Sequence, residues 1–343
     1  MRIDYPLPAA HVSPRRLRTG ADPVAYFDHH LTQVIARRRF DPARSAVECS
    51  GGLDSSTVAQ SLAAAVREPV RVGALHIGGP PGEQQLRRRA EMAERAGWGA
   101  DTLVPMADHL PFAPGGPRAG GALVGVEGAY TEALGVLYSA WRDAGVRWVF
   151  TGVAGDELLG LRPEERRQIG DPWRVQESGD WLGDAARTAL DLVGRDLAPA
   201  SVLLVSALQG LATHSPGALR HGLWPVNPLA EPALLRFGES LPLEWRRHKR
   251  LLRVRMERLG LSQEVTDPPL RENFGPDLET AMAVHGLPLL DSLMDDSALG
   301  RARLLDVAAV RRAARAARGD GALARRLYRP LMLEVAVRSW SRA

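Results

Sequence analysis

Residues Val47–Gln60 read "VECSGGLDSSTVAQ". A short apolar run leads into two glycines, an aspartate and three serines, and a second apolar run follows. "SAVEC" has the length of a short buried strand, and "DSSTVAQSLAAAVRE" reads as a helix. The Gly-rich turn therefore joins a strand to a helix N-terminus. Such a turn offers backbone N–H groups and the positive end of the helix dipole, which together make an anion site. Gly51 and Gly52 let the backbone approach a phosphate closely. Ser50, Ser55 and Ser56 can add hydroxyl donors. An aspartate inside an anion cradle needs a cation to offset the repulsion. Asp54 is thus expected to hold a Mg²⁺ that also bridges phosphates. The GxxxxGK[ST] loop is excluded, because no lysine is present there and the spacing differs.

Outward from this turn, strand and helix patterns alternate. "DPVAYFDHHLTQVIARRR" reads as an amphipathic helix with Asp22 as its cap and proline at the first helical position. "VRVGALHIG" is a second strand. "PGEQQLRRRAEMAERAG" is a helix closed by Gly97. "ADTLVPM" is a third strand, "AYTEALGVLYSAWRDAG" a helix and "VRWVFTGV" a fourth strand. Residues 107–128, rich in glycine and proline, form a long loop. The alternation predicts an α/β fold with a parallel sheet flanked by helices. Beyond about residue 155 the strand signal fades, and residues 180–343 are expected to be mostly helical, broken by Pro-rich turns such as "LWPVNPLAEP". The expected division is an N-terminal arm and helix (1–40), an α/β core carrying the Gly-rich loop (41–175) and a helical part completing the cleft (176–343). "GLRPEERRQIGDPWRVQESGD" is polar and reads as mobile.

Composition narrows the classes. A chain of 343 residues, 45% hydrophobic and 24% charged, is globular. It has no run of 18 apolar residues and no signal-type apolar segment at its start, so a cytoplasmic protein without a membrane span is expected. Its single cysteine, Cys49, excludes an internal disulfide framework. Of the 44 basic residues, 43 are arginine and one is lysine, Lys249. A position that keeps lysine against such a bias points to a need for a compact ammonium.

The "SGGLDSS" string resembles the pyrophosphate loop of the ATP pyrophosphatases. A second string, "VFTGVAGDELLG" (Val149–Gly160), resembles the acidic segment of asparagine synthetases and their relatives, the β-lactam synthetases and lasso-peptide cyclases. The likeness implies an adenine-nucleotide α-hydrolase-like fold and an activity that uses ATP and Mg²⁺. The reaction it implies adenylylates a substrate carboxylate with release of pyrophosphate, after which an amine takes the acyl group to form an amide. It makes Asp156 the second Mg²⁺ ligand beside Asp54. It puts Leu75, His76 and Ile77 at the adenine pocket, with Val47, Glu48 and Gly152 across from them. "NPLAEPALLRFGESLPLEWRRHKRLLR" is similar to the family region whose lysine faces the reacting charges, and that lysine falls on Lys249. "LYRPLMLEVAVRSW" looks like the family's C-terminal helix.

The chain also departs from the pattern. Residue 2 is Arg2 where glutamine-dependent members carry a catalytic cysteine, so the glutaminase domain is expected to be absent. The position three before Asp156 holds Val153, where the family has a tyrosine or a glutamate. Trp224 stands where an acidic partner is usual, and Arg271 where a further lysine is expected. These changes leave the second half-reaction without an assigned base. The expected amine is part of the substrate or a second small molecule, in peptide or specialised metabolite biosynthesis. A partner protein supplying ammonia or presenting a peptide is the other source. His214 and His221, seven apart, read as structural groups or substrate contacts. Residues 301–343 carry eleven arginines against three acids, which reads as a solvated helical face rather than a nucleic-acid surface. The alternatives are a tRNA-modifying enzyme of the same loop class and a degenerate ATP-binding subunit.

Overall fold

The computed structural model describes residues 14–66, 68–119, 125–170, 181–193 and 205–341. Strands β1 (Ser45–Glu48), β2 (Arg71–His76), β3 (Asp101–Pro105), β4 (Trp148–Phe150) and β5 (Trp224–Val226) form one sheet. Its order is β3-β2-β1-β4-β5, and every pairing is parallel. The α/β class and the flanking helices are as the sequence predicted.

Both faces of the sheet are covered, as a parallel sheet requires. Val47, Val72, Phe150 and Val226 bury against α1 (Pro23–Ala36) and α2 (Leu53–Ala65). On the same side of the molecule, α3 (Gly79–Ala96) packs against α2 and ends at Gly97, which takes the left-handed conformation with φ of 61°. Ala46, Leu75, Val104 and Val149 face the opposite way, against α4 (Thr131–Asp143) and the helix Val205–Arg220. Asp22 caps α1, its carboxylate accepting from the Val24 and Ala25 N–H groups at 3.0 and 3.1 Å. Helix α1 packs directly on α2 and on the helix Arg250–Arg258, so it belongs to the core of the sheet unit.

The fifth strand lies in a segment read as a Pro-rich turn. Pro225 lacks a donor, and β5 tolerates it because it is an edge strand paired only with β4. Beyond the sheet, residues 275–340 build a separate helical core around Met282, Leu290, Val310, Leu327 and Leu331. The segment expected to be mobile begins with a short helix, Pro163–Gln168; its residues 171–180 lie outside the described residues, as do 1–13 of the arm.

The topology places a crevice. After β1 the chain moves to β2 on one side, and later enters β4 on the other. In open α/β sheets, ligands bind at such a switch point, outside the carboxyl ends of the strands. The turns that leave β1 and β4 meet there, because Ala46 pairs with Val149 and Val47 with Phe150.

Candidate active site

The turn after β1 runs from Cys49 to Gly52 and opens α2 without a side-chain cap. Gly51 takes φ of 93°, which any other residue would adopt only under strain. The Ser50 and Ser55 hydroxyls lie 3.1 Å apart, and Ser55 Oγ accepts from the Ser50 N–H at 3.2 Å. Ser50 Oγ accepts from the Gly52 N–H at 3.3 Å. These contacts shape the loop around the free first turn of α2. Ser56 departs from the expectation. It is buried, with its hydroxyl 3.8 Å from Cys49 Sγ in the core, so its side chain is turned away from the cradle.

Gly152 and Gly155 seat the turn after β4 on the start of α2. A Cβ at Gly152 would lie 2.6 Å from the Ser55 nitrogen, and one at Gly155 2.3 Å from Asp54 Cγ. Thr151 fixes this turn from below, donating to Asn227 Oδ1 at 2.5 Å and accepting from the Val153 N–H at 3.2 Å. Ala154 completes it with φ of 74°.

Lys249 reaches the same place from 195 residues away. Its ammonium lies 2.5 Å from Asp54 Oδ2 and 2.6 Å from Asp156 Oδ1. His248 and Lys249 both adopt left-handed backbone, with φ of 51° and 52°. Each non-glycine residue so placed costs about 1–2 kcal/mol. The chain accepts that strain at the bend that delivers the ammonium to the two carboxylates. Burial pushes the Asp54 carboxyl up, with the Lys249 ammonium opposing only part of the shift. Burial also pulls Lys249 down, but Asp54 and Asp156 together hold it above the usual lysine value.

The donor set fits a divalent cation. Asp54 Oδ1 is buried and has no hydrogen-bond partner. The Asp156 side chain is 81% exposed, open to the crevice side. Two carboxylates, with further oxygens from a nucleotide, are the usual protein share of a Mg²⁺ site. No cluster of three metal-binding side chains occurs among the described residues, so the protein alone does not supply a full shell.

The residues expected at the adenine pocket divide. His76 is half-buried at the end of β2 and bonds Gln85 through Nδ1 at 3.1 Å. Leu75 and Ile77 are buried beside it. Val47 has no exposed side chain and packs in the core against α2, so only its backbone borders the crevice. Glu48 points to the α4 side, where Tyr138 and His214 hold it. Trp224 begins β5 opposite Trp148, at the end of the sheet remote from the crevice, and is 63% exposed. Arg271 is exposed.

Two supporting residues were not anticipated. Gln85 donates to the Ser50 and Leu75 carbonyls at 3.0 Å each and accepts from the Ile77 N–H at 3.3 Å, tying the loop to β2. Buried Arg88 donates to the carbonyls of Gly51 and Val265 and pairs with Glu272 at 2.7 Å. Both sit one turn apart on α3, which reads in sequence as an ordinary charged helix.

Residues 27–215 match the asparagine synthase family. The chain belongs to that family. It is accordingly an ATP-using enzyme of the ligase type. None of the curated proteins matches the chain. Among solved structures, the NH3-dependent NAD synthetase from Campylobacter jejuni subsp. jejuni NCTC 11168, in complex with the nitrate ion, is similar at 11% identity. That alignment covers 88% of this chain and 94% of that one, with a TM-score of 0.27. Among the described residues, no helix is long and apolar enough to cross a membrane.

Proposed function

We propose that this enzyme adenylylates a substrate carboxylate and then forms an amide, releasing pyrophosphate and AMP. The observation that carries this reading is the convergence of Asp54, Asp156 and Lys249 on the Gly-rich loop at the switch point. The Ser50–Ser55 loop and the first turn of α2 hold the β- and γ-phosphates through backbone N–H groups and hydroxyls. Asp54 and Asp156 would hold Mg²⁺, which when bound neutralises phosphate charge and favours loss of pyrophosphate. Leu75, His76 and Gly152 border the adenine. A substrate carboxylate oxygen attacks the α-phosphorus, and the bond to the bridging oxygen of pyrophosphate breaks. Lys249 stabilises the negative charge that builds on the phosphate oxygens in this step and on the acyl oxygen in the next. A compact ammonium suits a position between two carboxylates, where a planar guanidinium does not fit.

The proposed amine comes from the substrate itself, from a second small molecule or from a partner protein, and peptide or specialised metabolite biosynthesis is the proposed setting. Thiol chemistry on a nucleic acid has less support. Cys49 is fully buried, and burial pushes its thiol up. Six arginines beyond residue 300 are already paired with acids, for example Arg311 with Asp295 and Arg318 with Asp291.

The test is ATP–pyrophosphate exchange with Mg²⁺ against the twenty amino acids and a panel of linear peptides. Exchange that requires a carboxylate and disappears in Asp54→Asn is the expected result. A wild-type protein that binds ATP yet supports no exchange with any of them refutes the reading.

A further inference from the structure

Glu48, the last residue of β1, stands two residues before Ser50. Its carboxylate accepts from the Tyr138 hydroxyl at 2.5 Å. His214 Nε2 lies 3.0 Å from each of its two oxygens. Tyr138 is fully buried, whereas the Glu48 and His214 side chains remain 17% and 20% exposed. The carboxylate–imidazole pair is thus fixed from within and open on its other side. Nε2 must carry a proton to bond Glu48. That leaves Nδ1 as the basic nitrogen, and it has no protein partner among the described residues.

The pair lies beside the crevice. Gly210 is one helical turn before His214 on the same helix face. A Cβ at Gly210 would lie 3.4 Å from Val153 Cγ1. Val153 belongs to the turn between Gly152 and Asp156, so His214 is one helical turn along from a side chain that stands three residues before Asp156. A cavity of about 60 Å³ opens against His214, lined also by Tyr130, Thr131, Tyr138, Arg220 and His221. That volume is about two water molecules, enough for an amine head group. The other charged groups there are engaged: Arg220 with Glu127, and His221 Nδ1 with Ser139 Oγ at 3.2 Å. A glutamate at the end of a buried strand is costly unless paired and hydrogen-bonded, and here Tyr138 and His214 are its partners.

We infer that His214 is the general base of the amide-forming step, with Glu48 and Tyr138 as its positioning residues. This rests on the synthetase function proposed above. The amine nitrogen attacks the acyl carbon of the adenylate, and the bond from that carbon to the phosphate oxygen breaks. AMP leaves with the bonding electrons. The amine proton passes to His214 Nδ1, and Glu48 stabilises the imidazolium. The base function that Val153 cannot perform is thereby supplied from a helix rather than from the β4 turn.

The experiment compares wild type, His214→Gln and Glu48→Gln on a carboxylate that supports exchange, with ammonium and hydroxylamine as nucleophiles from pH 5.5 to 9. Hydroxylamine is nucleophilic without a base and reports the adenylate directly. In His214→Gln, amide formation with ammonium falls about 100-fold relative to hydroxamate formation. In Glu48→Gln, the acid limb of the ammonium profile moves to lower pH, because the imidazolium has lost its anion. Amide formation by His214→Gln within about three-fold of wild type, with an unmoved limb in Glu48→Gln, overturns the assignment. If His214→Gln does not fold, the limb in Glu48→Gln decides alone. A wild-type protein without exchange refutes the synthetase function instead, so the two failures are distinguishable.

Discussion

Gly152→Ala offers a severe test of the site. The added Cβ would lie 2.6 Å from the Ser55 nitrogen, 2.9 Å from Ser55 Cα and 3.0 Å from the Asp54 carbonyl carbon. Ordinary contact begins near 3.4 Å, so the closest approach is 0.8 Å too short. All three obstacles are backbone atoms at the start of α2, and no side-chain rotation relieves them. The turn after β4 and the Gly-rich loop must therefore separate by nearly 1 Å. Overpacking of this kind costs about 1–3 kcal/mol, and the rigid contact puts Gly152→Ala toward the upper end. The catalytic cost is larger. The same shift pulls Asp156 away from Asp54, and misplacement by 1 Å lowers rate about 100-fold. Urea unfolding gives the first quantity and ATP–pyrophosphate exchange the second. Gly319→Ala, with nothing within 4 Å of its Cβ, is the neutral control. A Gly152→Ala protein within about 0.5 kcal/mol of wild type and with unreduced exchange would refute the close apposition of the two turns.

Two further outcomes follow from the same geometry. Lys249→Arg keeps the charge but cannot place a single donor 2.5 and 2.6 Å from two carboxylates, so exchange falls about 100-fold or more while the urea midpoint stays near wild type; normal exchange in Lys249→Arg would show that any cation serves. Burial pulls the His214 imidazole down, but Glu48 more than offsets it, so its pKa stands above the usual histidine value. A raised folded-state pKa contributes stability that is fully present below the unfolded value and is lost as pH rises through the folded one. The stability gap between wild type and His214→Gln is therefore larger at pH 5.5 than at pH 8.5 by urea unfolding, and an equal gap at both would remove the Glu48–His214 ion pair.

Much of the fold was legible from local pattern. Four strands and the helices between them follow from apolar runs, caps and Gly97, because each signal is written within one element. The fifth strand was not legible. "WPV" carries a proline and only three residues, and it is a strand because β4 offers an unpaired edge. Ser56 shows the opposite limit. Its hydroxyl looked equivalent to those of Ser50 and Ser55, but the 3.6-residue turn of α2 rotates it into the core.

The sequence by itself determined the Gly-rich loop and the acidic turn before Leu158, since each is a matter of residue type and spacing within a dozen positions, and the singular status of Lys249, which is a matter of composition. Only the tertiary structure decided which charges meet. Lys249 joins Asp54 across 195 residues through two left-handed backbone positions that no periodicity announces. Glu48, Tyr138 and His214 come from a strand and two helices, and their partnership exists only because those helices cover one face of the sheet. Such contacts depend on where whole elements pack, and packing is a property of the assembled chain rather than of any segment within it.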